Sequence, residues 1–181
     1  SRLTDQKGID LIVQIIPALI ARGCQLALLG SGEAASENAL LQFSKQNPGQ
    51  IAVKIGFDEG LSHLITAGID MFLMPSRFEP CGLNQMYSQR YGSPPIVSAT
   101  GGLADTVTDS DDETIASRQA TGVVFDDLSA KGLLAAIDRA LAYYRDPETW
   151  RVIQRAGMRR DFSWARSAQQ YHDMYRTLLA P

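Results

Sequence analysis

Met71-Phe72-Leu73-Met74-Pro75-Ser76-Arg77-Phe78-Glu79-Pro80-Cys81-Gly82-Leu83 passes from a short apolar run, through two prolines, into a segment with helical composition. The run reads as a buried strand, the prolines as a turn, and the residues from about 82 to 91 as a helix beginning near Cys81-Gly82. A strand feeding a helix through a tight connection is half of a β-α-β unit, and the same alternation continues in both directions. Upstream, Ile9, Ile12, Val13, Ile16, Leu19 and Ile20 recur at three- and four-residue steps and predict a helix over about 8–22. Gln25 to Leu29 then reads as a buried strand ending in a tight turn at Gly30-Ser31-Gly32. A helix at 34–46, a strand at Ile51–Ile55 and a helix at 59–67 follow. Downstream come a strand at Pro95–Ser98, a short helix after Thr100 and a strand at Gly122–Phe125. The tail from Ala130 to Leu179 carries three helical stretches, broken near Asp146-Pro147 and Phe162-Ser163. The fold class is α/β: a doubly wound, Rossmann-like parallel sheet covered by helices on both faces.

At 181 residues and 45% hydrophobic composition the chain can bury one sizeable core, so residues 1–181 read as a single domain. A net charge of −3 with no Lys/Arg block argues against nucleic acid or an anionic membrane as partner, so any anion has to be bound locally. The longest apolar stretches, such as Leu11 to Ile20, are too short to span a bilayer. Cys24 and Cys81 provide neither a disulfide framework nor a metal cluster. The opening Ser1-Arg2-Leu3-Thr4 has no Met and no helix or strand signal of its own, and reads as the start of a fragment.

Ligands of open parallel sheets bind beyond the carboxyl ends of the strands, which singles out four junctions. Gly30-Ser31-Gly32-Glu33-Ala34-Ala35 satisfies a loose dinucleotide fingerprint, but Lys54-Ile55-Gly56-Phe57 ends the next strand where a nicotinamide site needs an acidic residue. A plain turn is the better reading there. Phe57, between a strand and a helix, can stack on a base. The turn at Cys81, Gly82, Leu83 and Asn84 exposes backbone N–H groups suited to phosphate, and Glu79 just ahead of it can accept hydrogen bonds from sugar hydroxyls. Thr100-Gly101-Gly102 opens another helix and allows a second close approach to an anion. Together these describe a pocket for a nucleoside-diphosphate sugar.

Ser1 through Gly8, Pro75 through Tyr87, Thr100 through Val107, and Phe162-Ser163-Trp164 with Ala168, Tyr171 and Tyr175 resemble, in order, the motifs of bacterial starch and glycogen synthases. The resemblance implies the C-terminal, donor-binding half of a two-domain GT-B-type glycosyltransferase with its active site between the domains. The reaction it implies is retaining transfer of glucose from ADP-glucose to the non-reducing 4-hydroxyl of an α-1,4-glucan. Carried over by position, Arg2, Lys7 and Glu79 would be catalytic. Arg2 and Lys7 would stabilise the charge that builds on the diphosphate, and Glu79 would hold sugar hydroxyls. Phe57, Cys81, Gly82, Leu83, Asn84, Thr100, Gly101 and Gly102 would bind substrate, with Phe57 stacking on adenine where the family often has Tyr. Tyr87 stands where many related sugar-nucleotide transferases carry a second Glu. The partners implied are ADP or ADP-glucose and, through a missing N-terminal domain, the α-glucan. The 162–179 helix would pack back toward that domain. No metal or cofactor is implied. The expected compartment is the bacterial cytoplasm, or the plastid stroma in a plant.

The residues alone leave adenine against uridine, and glycogen against starch, open. The Asp109–Glu113 run contains the Asp-x-Asp of metal-dependent transferases, but it reads as a solvated acidic loop. His63 and His172 read as surface or structural residues. A binding module without turnover, and an epimerase built on the same plan, are the other functions considered. Loss of the strand expected just before Arg2, central in the order 3-2-1-4-5-6, would leave inner sheet edges unpaired.

Overall fold

The computed structural model describes residues 2–179; Ser1, which opens the first motif, lies outside them. Among the described residues six strands run β1 (Arg2–Leu3), β2 (Leu26–Gly32), β3 (Ile51–Ile55), β4 (Phe72–Met74), β5 (Pro95–Ser98) and β6 (Val123–Phe125). Interleaved with them are α1 (Ile9–Ala21), α2 (Ala34–Gln46), α3 (Glu59–Gly68), α4 (Asn84–Tyr91), α5 (Gly101–Thr106) and α6 (Asp112–Ala116), followed by α7 (Ala130–Tyr144), α8 (Pro147–Arg159) and α9 (Trp164–Leu179). All the strand pairings are parallel. They form two three-stranded sheets, β1-β2-β3 and β4-β5-β6. The order is that of the expected doubly wound sheet, parted between β1 and β4. One core nonetheless takes residues from both sheets, Leu3 and Ile51 from the first and Ile96, Val123 and Phe125 from the second, with α1 and α7 packed against them.

Local chemistry accounts for the helix starts. Asp58 accepts the Leu61 N–H at 2.9 Å to open α3, Ser129 accepts the Gly132 N–H at 3.0 Å to open α7, and Asp146 with Pro147 opens α8. The apolar stripe of α1 buries Ile9, Leu11, Ile12, Ile15, Ile16 and Leu19.

Four sequence expectations need correction. Gly30-Ser31-Gly32 is strand and not turn, because β1 pairs with its far end, Arg2 opposite Ser31 and Leu3 opposite Gly32. By the same pairing the opening segment does have a strand, followed by a 3₁₀ turn at Asp5–Lys7. Helix α4 begins at Asn84, since Gly82 takes φ +73°, a left-handed conformation that no right-handed helix contains. The acidic run is solvated, with Asp111, Asp112 and Glu113 exposed, but it is not a plain loop. Asp111 caps α6 through a reciprocal pair with Thr114, while Asp109 binds Arg139 at 2.8 Å and the Val124 N–H at 2.6 Å.

Helix α9 buries no residue. Trp164, Tyr171, Tyr175 and Leu178, spaced along one helical stripe, stand exposed. No helix among the described residues is long and apolar enough to cross a membrane.

The turn into α1 is one of the tight backbone approaches that position the site. Gly8 has φ +67°, and a Cβ there would overlap the Pro75 carbonyl. Gly8→Ala is expected to cost about 2–4 kcal/mol of stability, from left-handed strain plus overpacking. Gly23→Ala, at φ +74° with nothing within 4 Å of the added carbon, is expected to cost only about 1 kcal/mol. Urea unfolding of the two variants side by side checks the difference.

Candidate functional site

Five segments at the carboxyl ends of the strands build the site. They are the Asp5–Lys7 turn after β1, Phe57 after β3, the 75–83 loop after β4, the start of α4, and the start of α5 after β5. The first and third are zipped together. Arg77 N–H donates to the Gln6 carbonyl at 2.9 Å, and Gln6 Nε2 donates to the Phe78 carbonyl at 3.1 Å. The Arg77 guanidinium grips Asp10 with two bonds of 2.7 Å and also donates to the Asp5 carbonyl. This fork-to-fork geometry fixes orientation as well as distance.

The zipper brings Lys7 Nζ onto Glu79 Oε2 as an ion pair. Both groups are mostly buried, with side-chain exposures of 17% for Lys7 and 9% for Glu79. A lone carboxylate at that depth would be strongly destabilising, so the ammonium is what allows an acid to sit there. Ser76 Oγ, itself buried, donates to the same oxygen at 3.4 Å, and Ser98 Oγ donates to the Ser76 carbonyl behind it. Among the described residues these bonds all fall on Oε2, which leaves Oε1 as the carboxylate oxygen with acceptor capacity to spare.

Beyond Glu79 the chain turns through Cys81-Gly82 into α4. The N–H groups of Cys81, Gly82, Leu83, Asn84 and Gln85 find no protein acceptor among the described residues. Five clustered donors at a helix start form an anion cradle that needs no basic side chain. The second glycine turn is pressed against this one. Gly102 N–H donates to the Glu79 carbonyl at 3.0 Å, and Cβ atoms on Gly101 and Gly102 would overlap the carbonyls of Glu79 and Cys81 respectively. Thr100 stands at the N-cap of α5.

Phe57 is 89% exposed and lines a shallow cavity of about 220 Å³. The far wall of that cavity is Asn84 and Tyr87 of α4. An open ring is thereby set beside the start of α4. His63 lines the same cavity and meets the Tyr91 hydroxyl at 3.1 Å. Arg2 lies at the edge, exposed, with Nη2 3.5 Å from Gln6 Oε1. The Cys81 thiol is exposed, 3.5 Å from the Gly82 carbonyl.

The structure thus gathers Lys7, Glu79, Cys81, Gly82, Leu83, Asn84, Gly101 and Gly102 into one cluster, with Arg2 and Phe57 at its margins and Thr100 at the α5 N-cap. Gln6, Asp10, Ser76, Arg77 and Gln85 also build it and escaped the sequence reading. Gln6, Asp10, Arg77 and Gln85 act on residues distant in sequence or through backbone, and Ser76 meets Glu79 only through the fold of the loop, which leaves no local pattern. Among the described residues, no group of three or more His, Cys, Asp or Glu is disposed to hold a metal ion.

Residues 1–156 match the protein family described as Glycosyl transferases group 1. Over 179 residues the chain is 55% identical to the glycogen synthase of Nitrosospira multiformis, and over 181 residues 54% identical to that of Halorhodospira halophila. These alignments cover 99% of this chain in each case, and 36% and 37% of the two relatives. Among solved structures, the catalytic domain of starch synthase IV from Arabidopsis thaliana, bound to ADP and acarbose, superposes with a TM-score of 0.84 at 40% identity. That superposition covers 98% of this chain and 37% of that one. Sucrose-phosphate synthase from Thermosynechococcus elongatus superposes with a TM-score of 0.68 at 28% identity, over 98% of this chain and 44% of that one. The chain therefore spans little more than a third of the length of its glycogen synthase relatives.

The Arg77–Asp10 clamp predicts a pH dependence. Arg77 holds the Asp10 carboxyl below its ordinary value of 3.8, chiefly by hydrogen bonding and further by its charge. A folded-state pKa below the unfolded one contributes stability that is complete above about 4 and is lost as pH falls through the lowered value. Asp10→Asn should therefore be less stable than the parent at pH 7, with the gap closing below about pH 4. Thermal melts across that range check it.

Proposed function

The chain belongs to the group 1 glycosyl transferases, and on that premise we propose that it is the donor-binding part of a retaining glucosyltransferase. The donor is ADP-glucose and the acceptor is the non-reducing 4-hydroxyl of an α-1,4-glucan. The observation that carries this reading is the five-donor turn at Cys81–Gln85, lying directly beside the buried Lys7–Glu79 pair. A cradle for anionic oxygens next to a carboxylate oxygen with acceptor capacity to spare matches the two halves of a sugar nucleotide. Glycogen synthase relatives above 50% identity and a starch synthase structure bound to ADP and acarbose support the choice of adenine and glucan.

In this reading the diphosphate rests on the N–H groups of Gly82, Leu83 and Asn84, with the Gly101-Gly102 turn closing one side and Cys81 packing against the ligand. Phe57 stacks on adenine. Lys7 has three N–H donors, so it can keep one on Glu79 and turn another to the phosphate as negative charge builds on the leaving group. Arg2 adds charge from the edge. Glu79, held by Lys7 and Ser76 through Oε2, offers Oε1 to glucose hydroxyls. The departing phosphate sits on the face from which the acceptor approaches and can take up the acceptor proton, a front-face route to retention.

The glucan and the other wall of the cleft belong to residues outside this chain. The exposed stripe of α9 is where we place contact with them. We assign the enzyme to the bacterial cytoplasm.

Calorimetric titration tests the donor site. Phe57→Ala is expected to weaken ADP about tenfold, within the 1–3 kcal/mol range of base stacking. Glu79→Ala is expected to weaken ADP-glucose while leaving ADP nearly unchanged. Equal loss of both ligands in Glu79→Ala would contradict a sugar-facing role.

A further inference from the structure

Gln85, in the first turn of α4, is fully buried, yet its side chain bonds directly to the Cys81-Gly82 turn. Its Nε2 donates to the Cys81 carbonyl at 3.0 Å, to the Gly82 carbonyl at 3.1 Å and to Thr106 Oγ1 at 3.0 Å. Two carbonyls cannot face an amide oxygen, so these contacts fix which way round the amide lies. Among the described residues its Oε1 is left buried without a partner, a desolvation cost that the fold tolerates. Gly82 lies so close to this amide that a Cβ there would collide with it, and its φ of +73° is one that side chains rarely adopt.

The peptide bonds turn this buried contact into an outward effect. In a trans peptide the C=O and the N–H point in opposite directions. No peptide among the described residues is cis. Holding the Cys81 carbonyl inward aims the Gly82 N–H outward, and holding the Gly82 carbonyl inward does the same for the Leu83 N–H. Thr106 Oγ1, the third acceptor, donates in turn to the Gly102 carbonyl, which ties the second glycine turn to the same amide. We infer that Gln85 is a positioning residue that aims the Gly82 and Leu83 N–H groups at the diphosphate of the donor and sets the spacing of the two glycine turns. This rests on the reading that a nucleoside diphosphate binds at this turn.

The inference is tested by titrating the wild-type chain, Gln85→Met and Gln89→Met with ADP and with adenosine, alongside thermal melts. Methionine keeps the length and removes the donors. Gln89 is equally buried on the same helix, but its Nε2 reaches only the Gln85 and Thr106 carbonyls, neither of them in a turn, so it controls for loss of a buried amide. Gln85→Met should weaken ADP about tenfold or more and leave adenosine unchanged, while Gln89→Met leaves both unchanged. ADP binding by Gln85→Met equal to wild type, or an equal loss of ADP in both variants, would overturn the inference. Wild-type chain that binds ADP no tighter than adenosine would overturn the diphosphate reading itself. Should Gln85→Met not fold, amide NMR of the wild-type chain decides. The Gly82 and Leu83 N–H resonances should shift downfield with ADP and not with adenosine; unmoved resonances would refute the role.

Discussion

The ion pair of Lys7 with Glu79 joins two segments 72 residues apart and puts both charges where water is scarce. Each charge is costly there without the other, so the pair specifies how the first turn of the chain meets the loop after β4. The surrounding contacts repeat that instruction in other chemistries: the bond from the Gln6 side-chain amide to the Phe78 carbonyl, the Arg77–Gln6 backbone bond, the Arg77–Asp10 fork, and the Gly8 turn pressed on Pro75. From the same loop the Glu79 carbonyl reaches forward to the Gly102 N–H. One short loop thereby sets the position of the opening turn, the start of α4 and the start of α5.

A consequence is that charge and cradle are built separately. The donors to which we assign the phosphates are backbone groups, in a turn that holds the left-handed Gly82 and whose Cys81 and Gly82 carbonyls are bound by a buried glutamine. The side-chain charges, by contrast, largely neutralise each other before any ligand arrives. An anion entering this site meets a neutral pair and a row of dipoles, an arrangement that suits a group whose negative charge increases during reaction. It also fits a chain whose net charge of −3 provides no general attraction for anions.

Much of this was legible in the sequence, and the exceptions have physical causes. Amphipathic α1, the capped starts of α3 and α8, and the strands at Ile51–Ile55 and Pro95–Ser98 announce themselves through periodicity, Asp and Pro caps, and short apolar runs. Gly30-Ser31-Gly32 misled because three small residues carry the composition of a turn, whereas pairing with Arg2 and Leu3 makes them strand. The start of α4 was placed two residues early because the sign of φ at Gly82 cannot be read from composition. The short helix α6 hid inside an acidic run whose Asp111 and Thr114 cap each other. Within the site, Glu79, Lys7 and the glycines stood out by type and by motif. Gln85, Ser76 and Gln6 did not, because their work consists of hydrogen bonds to backbone or to groups brought near only by folding.

The central claim is that a sugar nucleotide lies across the junction of these segments, phosphates on the Cys81–Gln85 turn and sugar at Glu79. A crystal structure of the chain with ADP-glucose tests it most directly. The account predicts diphosphate oxygens within hydrogen-bonding distance of the Gly82 and Leu83 N–H groups and of Lys7 Nζ, with a glucose hydroxyl on Glu79. A diphosphate bound elsewhere, with the turn N–H groups unoccupied, would contradict it.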